Sequence, residues 1–456
     1  KQTIQQDDFY MARLFGTDGV RGTANTQLTP ELAYRLGRAA AQYFGREVQR
    51  PKIIVGRDTR LSGTMLAAAL GAGICSAGGD AYLLGVICTP AVSYLTEQVG
   101  ANAGVVISAS HNSFEDNGIK FFANNGYKLP DAIEDEIADI VAQDIDYSTA
   151  PNGSSVGKII VQEGLDELYI KHILNTAPCR LRGLRVVMDC ANGANSKIAP
   201  TILRLLGAEV IPIFDTPNGI NINNGCGSTH LEALRMKVIE YGADIGVAND
   251  GDADRCLVVD EKGRELDGDQ IMLIIARELM RRKKLKDCML VVTVMSNIGL
   301  HKAFKEMGGQ TCKTKVGDRY VLEEMVKHGY NLGGEQSGHI IFSEFAKTGD
   351  GILTAVQLMC TMVQNNMRLS ELAKLMTKYP QTLLNVPVKD KNGWEENRAI
   401  QEVVAKYTEE LGDNGQILVR ASGTEPLSRI MAEGPSQLQL EEIAGKIAAV
   451  VNAELG

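Results

Sequence analysis

The feature that most constrains the fold of this chain is an arrangement that occurs three times. Each occurrence has a short β-branched strand, a polar turn, a helix rich in small or aliphatic residues, a glycine and a second strand. The three begin at PKIIVGRDTRLSG, LRVVMDCANGANS and DCMLVVTVMSNIG. Strands that alternate with helices in this way indicate βαβ units with helix-covered sheets. We therefore expect three related α/β domains with parallel or mixed sheets.

Length and polar stretches set the expected domain boundaries. With 456 residues, the chain has room for about three domains of ~150 residues. The stretch DYSTAPNGSSVGK is a linker candidate, and after TKYP the pattern changes to a smaller α+β domain with helices expected at 394–411 and 436–455. Because MARLFGTDGVRG begins at Met11, we expect the residues before it to be a leader or an added segment. The expected segments, arranged around a central cleft, are 1–10, 11–153, 154–255, 256–377 and 378–456.

Charge and composition exclude several classes of protein. The net charge of -9 argues against nucleic-acid and acidic-membrane partners, which need a dominant basic face. No apolar run approaches the ~18 residues of a membrane span. The nine cysteines form no CxxC pair, which is typical of buried thiols in a reducing compartment. We expect a cytoplasmic protein that binds any anionic ligand through a local basic cluster.

The strongest local signal is the alternation of aspartates and small residues in ADIGVANDGDADRCLVVDE. Asp250, Asp252 and Asp254 follow a buried strand and are separated by Gly251 and Ala253. The small residues let three carboxylates converge, and the repulsion between them favours a bound cation. Hard divalent ions prefer such oxygen ligands. The alternation therefore predicts a Mg²⁺ site.

Other interpretations of this loop fit the residues less well. In a Ca²⁺ loop of the EF-hand type Glu261 would be the twelfth residue, but Arg255 stands sixth, where that loop needs glycine. A nucleophile motif of the haloacid dehalogenase type would have Thr or Val in place of Asp254. A solvated acidic turn is disfavoured by the apolar strands on both sides.

Two further segments combine a glycine-rich turn with charged side chains. In ILVRASGTEPLSRIMAEG, Arg420 and Arg429 frame a loop whose N–H and guanidinium groups suit a phosphate. An ordinary hairpin turn explains this segment equally well when it is taken alone. In NLGGEQSGHIIF, the carboxylate of Glu335 beside two glycines suits vicinal hydroxyls, although a plain turn is the more frequent explanation.

Polar residues also follow the ends of two strands in the first domain. VGRDTRLSG places Arg60 just past a strand, where arginines are usually solvated. GVVISASHNSFEDNGIK ends a buried strand in two serines, a histidine and an asparagine, and Lys120 comes ten residues after Ser110. A strand-end serine, a Mg²⁺ loop, an arginine phosphate site and a hydroxyl-binding carboxylate together favour phosphoryl transfer on a sugar.

On these residues the chain resembles the α-D-phosphohexomutase superfamily. The resemblance runs from about Met11 to the C-terminus through LFGTDGVRG, SASHN with DNGIK, DGDADR, GGEQSGH and RASGTEP, in that order. NINNGCGSTH, VMSNIGL and KVGDRYV are similar to the glucosamine branch. The resemblance implies an intramolecular phosphotransferase that interconverts glucosamine 6-phosphate and glucosamine 1-phosphate. Such an enzyme supplies UDP-N-acetylglucosamine for cell-wall synthesis. A homodimer is a further expectation from the family.

The resemblance also implies roles for individual residues. It makes Ser110 a phosphoserine and implies that Mg²⁺ is held by its phosphate and by the three aspartates. Glucosamine 1,6-bisphosphate, or glucose 1,6-bisphosphate as an activator, is the implied intermediate. The other implied site residues are Lys120 and Arg21 for acid/base chemistry, His111 for orientation, Arg255, Glu335 and Ser337 at the sugar, and Arg420, Ser422, Gly423, Thr424 and Arg429 at the distal phosphate. For Lys120 to work near neutral pH, its pKa would have to be lowered by neighbouring cations.

Two residues depart from the family pattern. Ser113 replaces a proline, so the serine loop is expected to be more flexible, and Ala253 replaces a glycine. Because alanine tolerates positive φ poorly, we expect a negative φ at Ala253. The alternatives in function are a phosphoglucomutase or phosphomannomutase and, less favoured, a Mg²⁺-dependent sugar phosphatase; a sugar-phosphate sensor would need a damaged site.

We predict that the peptide 104–120 of the purified protein carries one phosphate, on Ser110. Intact-peptide mass spectrometry with fragmentation locates it, because Ser108 and Ser113 lie in the same peptide. A phosphate found only on Ser108 or Ser113 would contradict the choice of Ser110.

Overall fold

A computed structural model describes residues 13–16, 18–390, 393–421 and 427–456. The chain divides into two compact units. The first unit falls within Lys1–Val294 and Cys312–Ala373, and the second within Met295–Thr311 and Lys374–Gly456. Each unit is considered by itself.

The described residues alternate between strands and helices along most of the chain. The strands are β1 (Val20–Thr23), β2 (Lys52–Arg57), β3 (Asp80–Val86), β4 (Ala103–Ile107), β5 (Asp116–Ala123), β6 (Ile159–Val161), β7 (Arg185–Asp189), β8 (Glu209–Ile213), β9 (Ile245–Asn249), β10 (Cys256–Asp260), β11 (Glu265–Leu266), β12 (Met289–Thr293), β13 (Gln310–Thr314), β14 (Leu332–Gly334), β15 (Ile340–Phe342), β16 (Gln381–Pro387), β17 (Gln416–Ala421) and β18 (Leu427–Glu433). The helices are α1 (Pro30–Phe44), α2 (Ser62–Ser76), α3 (Thr89–Gln98), α4 (Asp131–Ala142), α5 (Asp166–Thr176), α6 (Ile198–Leu205), α7 (Glu232–Tyr241), α8 (Gly268–Arg281), α9 (Ile298–Glu306), α10 (Asp318–His328), α11 (Gly351–Asn365), α12 (Leu369–Leu372), α13 (Arg398–Leu411) and α14 (Gln437–Leu455).

The sheets of the first unit are mixed. A six-stranded sheet has the order β1-β5-β4-β2-β3-β6, and a five-stranded sheet has the order β11-β10-β9-β7-β8. Within these, β2 is parallel to β3 and β7 is parallel to β8, as expected for βαβ units. In a third sheet β14 is parallel to β12 and antiparallel to β15. The predicted α/β class with mixed sheets is therefore confirmed.

The small residues of α2 allow close helix packing, as their spacing in GAGICSAGG predicts. A Cβ atom on Gly73 would lie 2.0 Å from the carbonyl oxygen of Tyr34 in α1, and one on Gly37 would lie 2.1 Å from that of Leu70. Since real Cβ atoms do not approach a carbonyl so closely, only glycine permits this separation of α1 and α2. The contact covers one face of the six-stranded sheet with aliphatic residues of both helices.

The pairing of β9 with β10 bears on one expected domain boundary. Residues Cys256–Asp260 pair in antiparallel register with Ile245–Asn249, so a boundary between residues 255 and 256 would divide this hairpin. We propose that the boundary lies after β11, and we keep the remaining boundaries as proposals.

The second unit contains an antiparallel sheet in the order β16-β18-β17 with α13 and α14 packed on it. This arrangement confirms the smaller α+β domain. However, α13 begins at Arg398 and not at residue 394, because the side chain of Asn397 accepts a hydrogen bond from the backbone N–H of Ile400 at 3.1 Å and caps the helix there. The helix α14 begins at Gln437, within one residue of the expected start.

Among the described residues, no helix has both the length and the apolar character needed to cross a lipid bilayer.

We predict that Glu278 stabilises the first unit in a pH-dependent way. Burial raises the pKa of this carboxyl, but hydrogen bonds from Arg281, Asn365 and Arg282 outweigh burial and lower it to about 2. Because the folded-state pKa is depressed, the stabilisation is present above the unfolded value near 4.5 and is lost as the pH falls towards 2. In urea unfolding, the wild type should therefore exceed Glu278→Gln in stability at pH 7 and lose this advantage between about pH 5 and pH 2.

Glu240→Gln is the matched control, since Glu240 also pairs with a basic residue on its own helix but is largely exposed. An equal pH dependence for both variants would contradict the assignment to the buried carboxyl.

Candidate active site

The strands β4 and β5 bring Ser110 and Lys120 into one region. They pair in antiparallel register with Val106 opposite Lys120, and Ser110 lies in the connection between them. Lys120 is thus part of a central strand and not of a loop. Its side chain is 2% exposed, so it points into the interior of the unit.

Ser110 has an unusual backbone conformation. Its φ is +53°, a left-handed conformation that costs a residue with a Cβ atom about 1–2 kcal/mol. The Oγ of Ser108 accepts a hydrogen bond from the Ser110 N–H at 3.0 Å, which gives Ser108 a local structural role. The Oγ of Ser110 donates to Oδ2 of Asp250 at 2.5 Å. The serine hydroxyl is therefore directed at the acidic loop.

The acidic loop joins β9 to β10, and it brings the three aspartates together. One carboxylate oxygen from each of Asp250, Asp252 and Asp254 lies within 4.8 Å of the others, and all three residues are buried. Burial raises the pKa of Asp250 well above its ordinary value, and the charges of Asp254 and Asp252 add to this effect. Among the described residues, Oδ1 of Asp252 and Oδ1 of Asp254 have no hydrogen-bond partner. Buried, mutually repelling carboxylates with free oxygens fit a hard divalent cation.

Contrary to the sequence-based expectation, φ at Ala253 is positive, at +60°. Hydrogen bonds on both sides of the residue hold this conformation: its N–H donates to Asp250 O at 3.0 Å, and its carbonyl accepts from Gly351 N at 3.0 Å. The expectation was wrong because it considered only the local steric cost. The loop must turn sharply here to aim Asp252 and Asp254 at the same point as Asp250.

Gly251 allows the acidic loop to touch the serine loop. A Cβ atom at this position would lie 2.8 Å from the carbonyl oxygen of Ser110. The glycine between the first two aspartates is therefore required by a contact between the two loops, in addition to the turn itself.

Lys120 is surrounded by carboxylates. Its Nζ lies 3.1 Å from Oδ2 of Asp252, 3.3 Å from Oδ2 of Asp18 and 3.7 Å from Oδ2 of Asp254. Burial favours the neutral amine, but the charges of Asp18, Asp252 and Asp254 outweigh burial and raise the pKa of Lys120. Among the described residues the balance is thus opposite to the lowered pKa that the sequence argument required.

His111 and Arg21 lie next to these groups. The Nδ1 of His111 is 3.4 Å from Oγ of Ser110. Burial and the charges of Arg255 and Arg21 lower the pKa of His111 to about 4, so its imidazole is neutral at pH 7. Arg21 lies opposite Gly118 in the β1–β5 ladder and pairs with Asp18.

The sugar-loop candidates lie in the same unit. Oε1 of Glu335 accepts a hydrogen bond from the N–H of Gly317 at 3.1 Å, and burial raises the pKa of Glu335. The Oγ of Ser337 is buried and has no hydrogen-bond partner within the described ranges. The backbone N–H of Arg255 donates to Oδ1 of Asp250 at 3.2 Å. The positive charge of Arg255 also acts on Glu335, where it offsets part of the rise in pKa that burial causes.

In the second unit, the two candidate phosphate-binding arginines face each other. Arg420 on β17 and Arg429 on β18 are direct partners in the antiparallel ladder. Burial and the charge of Arg429 lower the pKa of Arg420. Guanidinium groups on neighbouring strands can bind the oxygens of an anion such as phosphate. Ser422, Gly423 and Thr424 lie outside the described residues.

Three residues of the site were not selected from the sequence. Thr89 donates from Oγ1 to Oδ2 of Asp252 at 2.7 Å. Asp18 forms ion pairs with both Lys120 and Lys128. The Nε2 of His339 lies 3.5 Å from Oδ2 of Asp318 and 3.9 Å from Oδ2 of Asp254. Asp18 and His339 stand inside motifs that the sequence makes conspicuous. Thr89 begins α3 just after a strand, the kind of position that could have identified it.

Models of known protein families match most of the chain. Four families described as phosphoglucomutase/phosphomannomutase match: domain I at residues 12–148, domain II at 167–263, domain III at 267–379 and the C-terminal domain at 383–450. The matches follow the order of the sheets along the chain.

Several curated proteins are similar over nearly their full length. A phosphoglucosamine mutase of Desulforamulus reducens is 53% identical over 441 residues, which are 97% of this chain and 99% of that protein. One from Carboxydothermus hydrogenoformans is 54% identical, with 97% of this chain and 99% of that protein covered.

Solved structures share the fold at lower identity. A phosphoglucomutase/phosphomannomutase family protein from Burkholderia thailandensis has a TM-score of 0.82 at 23% identity, with 97% of this chain and 98% of that chain covered. Aspergillus fumigatus N-acetylphosphoglucosamine mutase, solved with GlcNAc-6P and magnesium, has a TM-score of 0.72 at 18% identity over 97% and 96% of the two chains.

We predict that a divalent cation stabilises the protein through the three aspartates. Ligand binding to the folded state alone contributes about 2.7 kcal/mol at 100 times Kd, so added Mg²⁺ should raise the melting temperature of the chelator-treated wild type. Asp254→Asn should remove most of this increase, because it takes a charged ligand from the site. Asp139→Asn, at an exposed position, serves as the control and should retain the increase; the same increase in Asp254→Asn would place the cation elsewhere.

Proposed function

Because the chain belongs to the bacterial phosphoglucosamine mutases of the phosphohexomutase superfamily, we propose that it interconverts glucosamine 6-phosphate and glucosamine 1-phosphate through a phosphoserine at Ser110. A bisphosphorylated sugar is the intermediate of this cycle. The phosphoryl group passes from Ser110 Oγ to the free hydroxyl of the monophosphate, and the other phosphate of the bisphosphate then returns to Oγ.

The observation that carries this proposal is the position of the serine hydroxyl. Its Oγ lies 2.5 Å from Oδ2 of Asp250, in a loop whose three carboxylates converge. Phosphoryl transfer depends mainly on positioning and on charge neutralisation. A nucleophilic oxygen held beside a cation site by a buried backbone meets both requirements.

We propose Mg²⁺ as the cation, held by Asp250, Asp252, Asp254 and the phosphate on Ser110. The Oδ1 atoms of Asp252 and Asp254, which have no hydrogen-bond partner in the described ranges, support this assignment, and the Aspergillus fumigatus relative was solved with magnesium. When bound, such an ion supplies charge neutralisation for the transferred phosphoryl group.

We assign the remaining roles to residues around the serine. Lys120 exchanges the proton at its Nζ; the carboxylates around it raise its pKa, and a cation at the three aspartates, by offsetting their charge, would lower it again. Arg21 balances the charge of the phosphoryl group, and His111 orients Oγ through its neutral ring. The carboxylate of Glu335 binds sugar hydroxyls, with the hydroxyl of Ser337 and the guanidinium of Arg255 as further sugar contacts.

For the phosphate that is not being transferred, we propose Arg420 and Arg429 together with Ser422, Gly423 and Thr424. The support is the direct opposition of two arginines in one hairpin, because guanidinium groups bind phosphate oxygens through paired hydrogen bonds.

We also propose a cytoplasmic location, in keeping with nine cysteines that are all free thiols. Homodimer formation remains a prediction from the family.

A coupled assay with Mg²⁺ and catalytic glucose 1,6-bisphosphate tests the substrate. We expect kcat/KM to be highest for glucosamine phosphates when glucosamine, glucose and mannose phosphates are compared. The description of the matching domain families supports glucose or mannose phosphate as the second candidate, and a clear preference for either would overturn the amino-sugar assignment. Release of free phosphate at a rate equal to isomerisation would instead indicate a sugar phosphatase.

A further inference from the structure

Asn223 reaches from the segment NINNGCGSTH, between β8 and α7, to the serine loop. Its side-chain Nδ2 donates to the carbonyl oxygen of Ser110 at 2.8 Å and to that of Asn112 at 2.9 Å. The residue is buried, has φ of +57°, and is fixed by its own N–H, which donates to Ala191 O at 2.9 Å. Both N–H bonds of the amide are therefore used to hold the backbone on either side of His111.

Arg60 holds the same two carbonyl groups from another direction. Its Nη2 donates to Ser110 O at 3.2 Å and to Asn112 O at 2.6 Å, and its Nε donates to Ser113 O at 3.4 Å. The guanidinium is buried and paired with the buried carboxylate of Asp58. Two donors from separate segments thus converge on the loop that carries the nucleophile. This arrangement also restrains Ser113, where the expected proline is missing.

We propose that Asn223 is a positioning residue for phosphoryl transfer: together with Arg60 it holds the left-handed conformation of Ser110, so that Oγ stays at the acidic loop. The proposal rests on the proposed function, in which Ser110 carries the phosphoryl group. Asn223 acts through the backbone of Ser110 and binds no sugar. A segment that resembles the glucosamine branch would then contribute to the geometry of the nucleophile.

The chemistry of the side chain supports this role. A side-chain amide carries two N–H donors on one nitrogen, so it can serve both carbonyl oxygens at once. Asparagine also tolerates positive φ better than most residues with a Cβ atom. An aspartate of the same shape would set a carboxylate against two carbonyl oxygens, with no proton to share.

The test uses two pairs of variants at neighbouring asparagines. Asn223→Asp keeps the shape and removes the donors, while Asn223→Gly removes the side chain and accepts φ of +57° without strain. Asn224→Asp and Asn224→Gly are the controls, because Asn224 is exposed on the same loop. We expect both Asn223 variants to lower kcat by about 10- to 100-fold, since small misplacements of reacting groups have effects of this size.

In the same variants, KM for glucosamine 1-phosphate should change by less than about threefold, because a lost transition-state alignment lowers kcat and leaves substrate binding intact. The rate at which glucose 1,6-bisphosphate phosphorylates Ser110, followed by intact mass, should fall in parallel with kcat. The Asn224 controls should match the wild type in all three measurements.

Melting temperatures separate positioning from folding. All assays are run well below the lowest melting temperature, and rates are normalised to folded protein. If Asn223→Asp fails to fold, Asn223→Gly decides. The positioning role is overturned if folded Asn223→Gly has the kcat of the wild type. It is also overturned if kcat/KM falls only because KM rises. A wild type that neither isomerises the substrate nor takes phosphate on Ser110 refutes the proposed function instead.

Discussion

The arrangement of the candidate site in the first unit depends on the convergence of three buried carboxylates at one point. Isolated charges in a protein interior are unstable unless they are paired, and Asp250, Asp252 and Asp254 repel one another in addition. Lys120 compensates part of this charge from β5, and Thr89 hydrogen-bonds one carboxylate from α3. Within the described part of the chain, Oδ1 of Asp252 and Oδ1 of Asp254 have no hydrogen-bond partner, which leaves them for a cation. The surrounding strands and loops are therefore arranged around a site that is unfavourable until it is filled.

This convergence imposes strained backbone at two residues. Ser110 and Ala253 both adopt positive φ, and each such residue costs on the order of 1–3 kcal/mol. A hydrogen bond contributes about 1 kcal/mol net, so a few bonds at each residue are enough to hold it. Ala253 has bonds on both sides, and Ser110 is held at its N–H, its Oγ and its carbonyl. The strain is local, but part of its compensation comes from residues far away along the chain, namely Gly351 for Ala253 and Asn223 for Ser110.

Repeated strand–helix patterns made much of the fold predictable from the sequence, because burial periodicity and turn residues act locally. The start of α13 was missed, since the cap at Asn397 takes precedence over the apolar residue at 394. The residues of the candidate site were harder to predict from the sequence. Asp250 and its two partners were identifiable from spacing. The place of Thr89 after a strand marks it as a candidate, but it contacts Asp252 across 163 positions of sequence, and no local pattern encodes which residue it contacts. The placement of Lys120 on a strand depended likewise on the β4–β5 pairing.

The left-handed backbone of Ser110 also limits which residue could replace the serine that we propose as the nucleophile. Threonine carries the same hydroxyl, but a β-branched side chain at positive φ is a severe steric outlier. Cysteine would avoid branching but would offer a soft sulfur to a site built for hard oxygen ligands. The choice of serine at this position therefore follows from chain geometry and ligand hardness as well as from its reactivity. A change to threonine would therefore need a different backbone conformation at this residue.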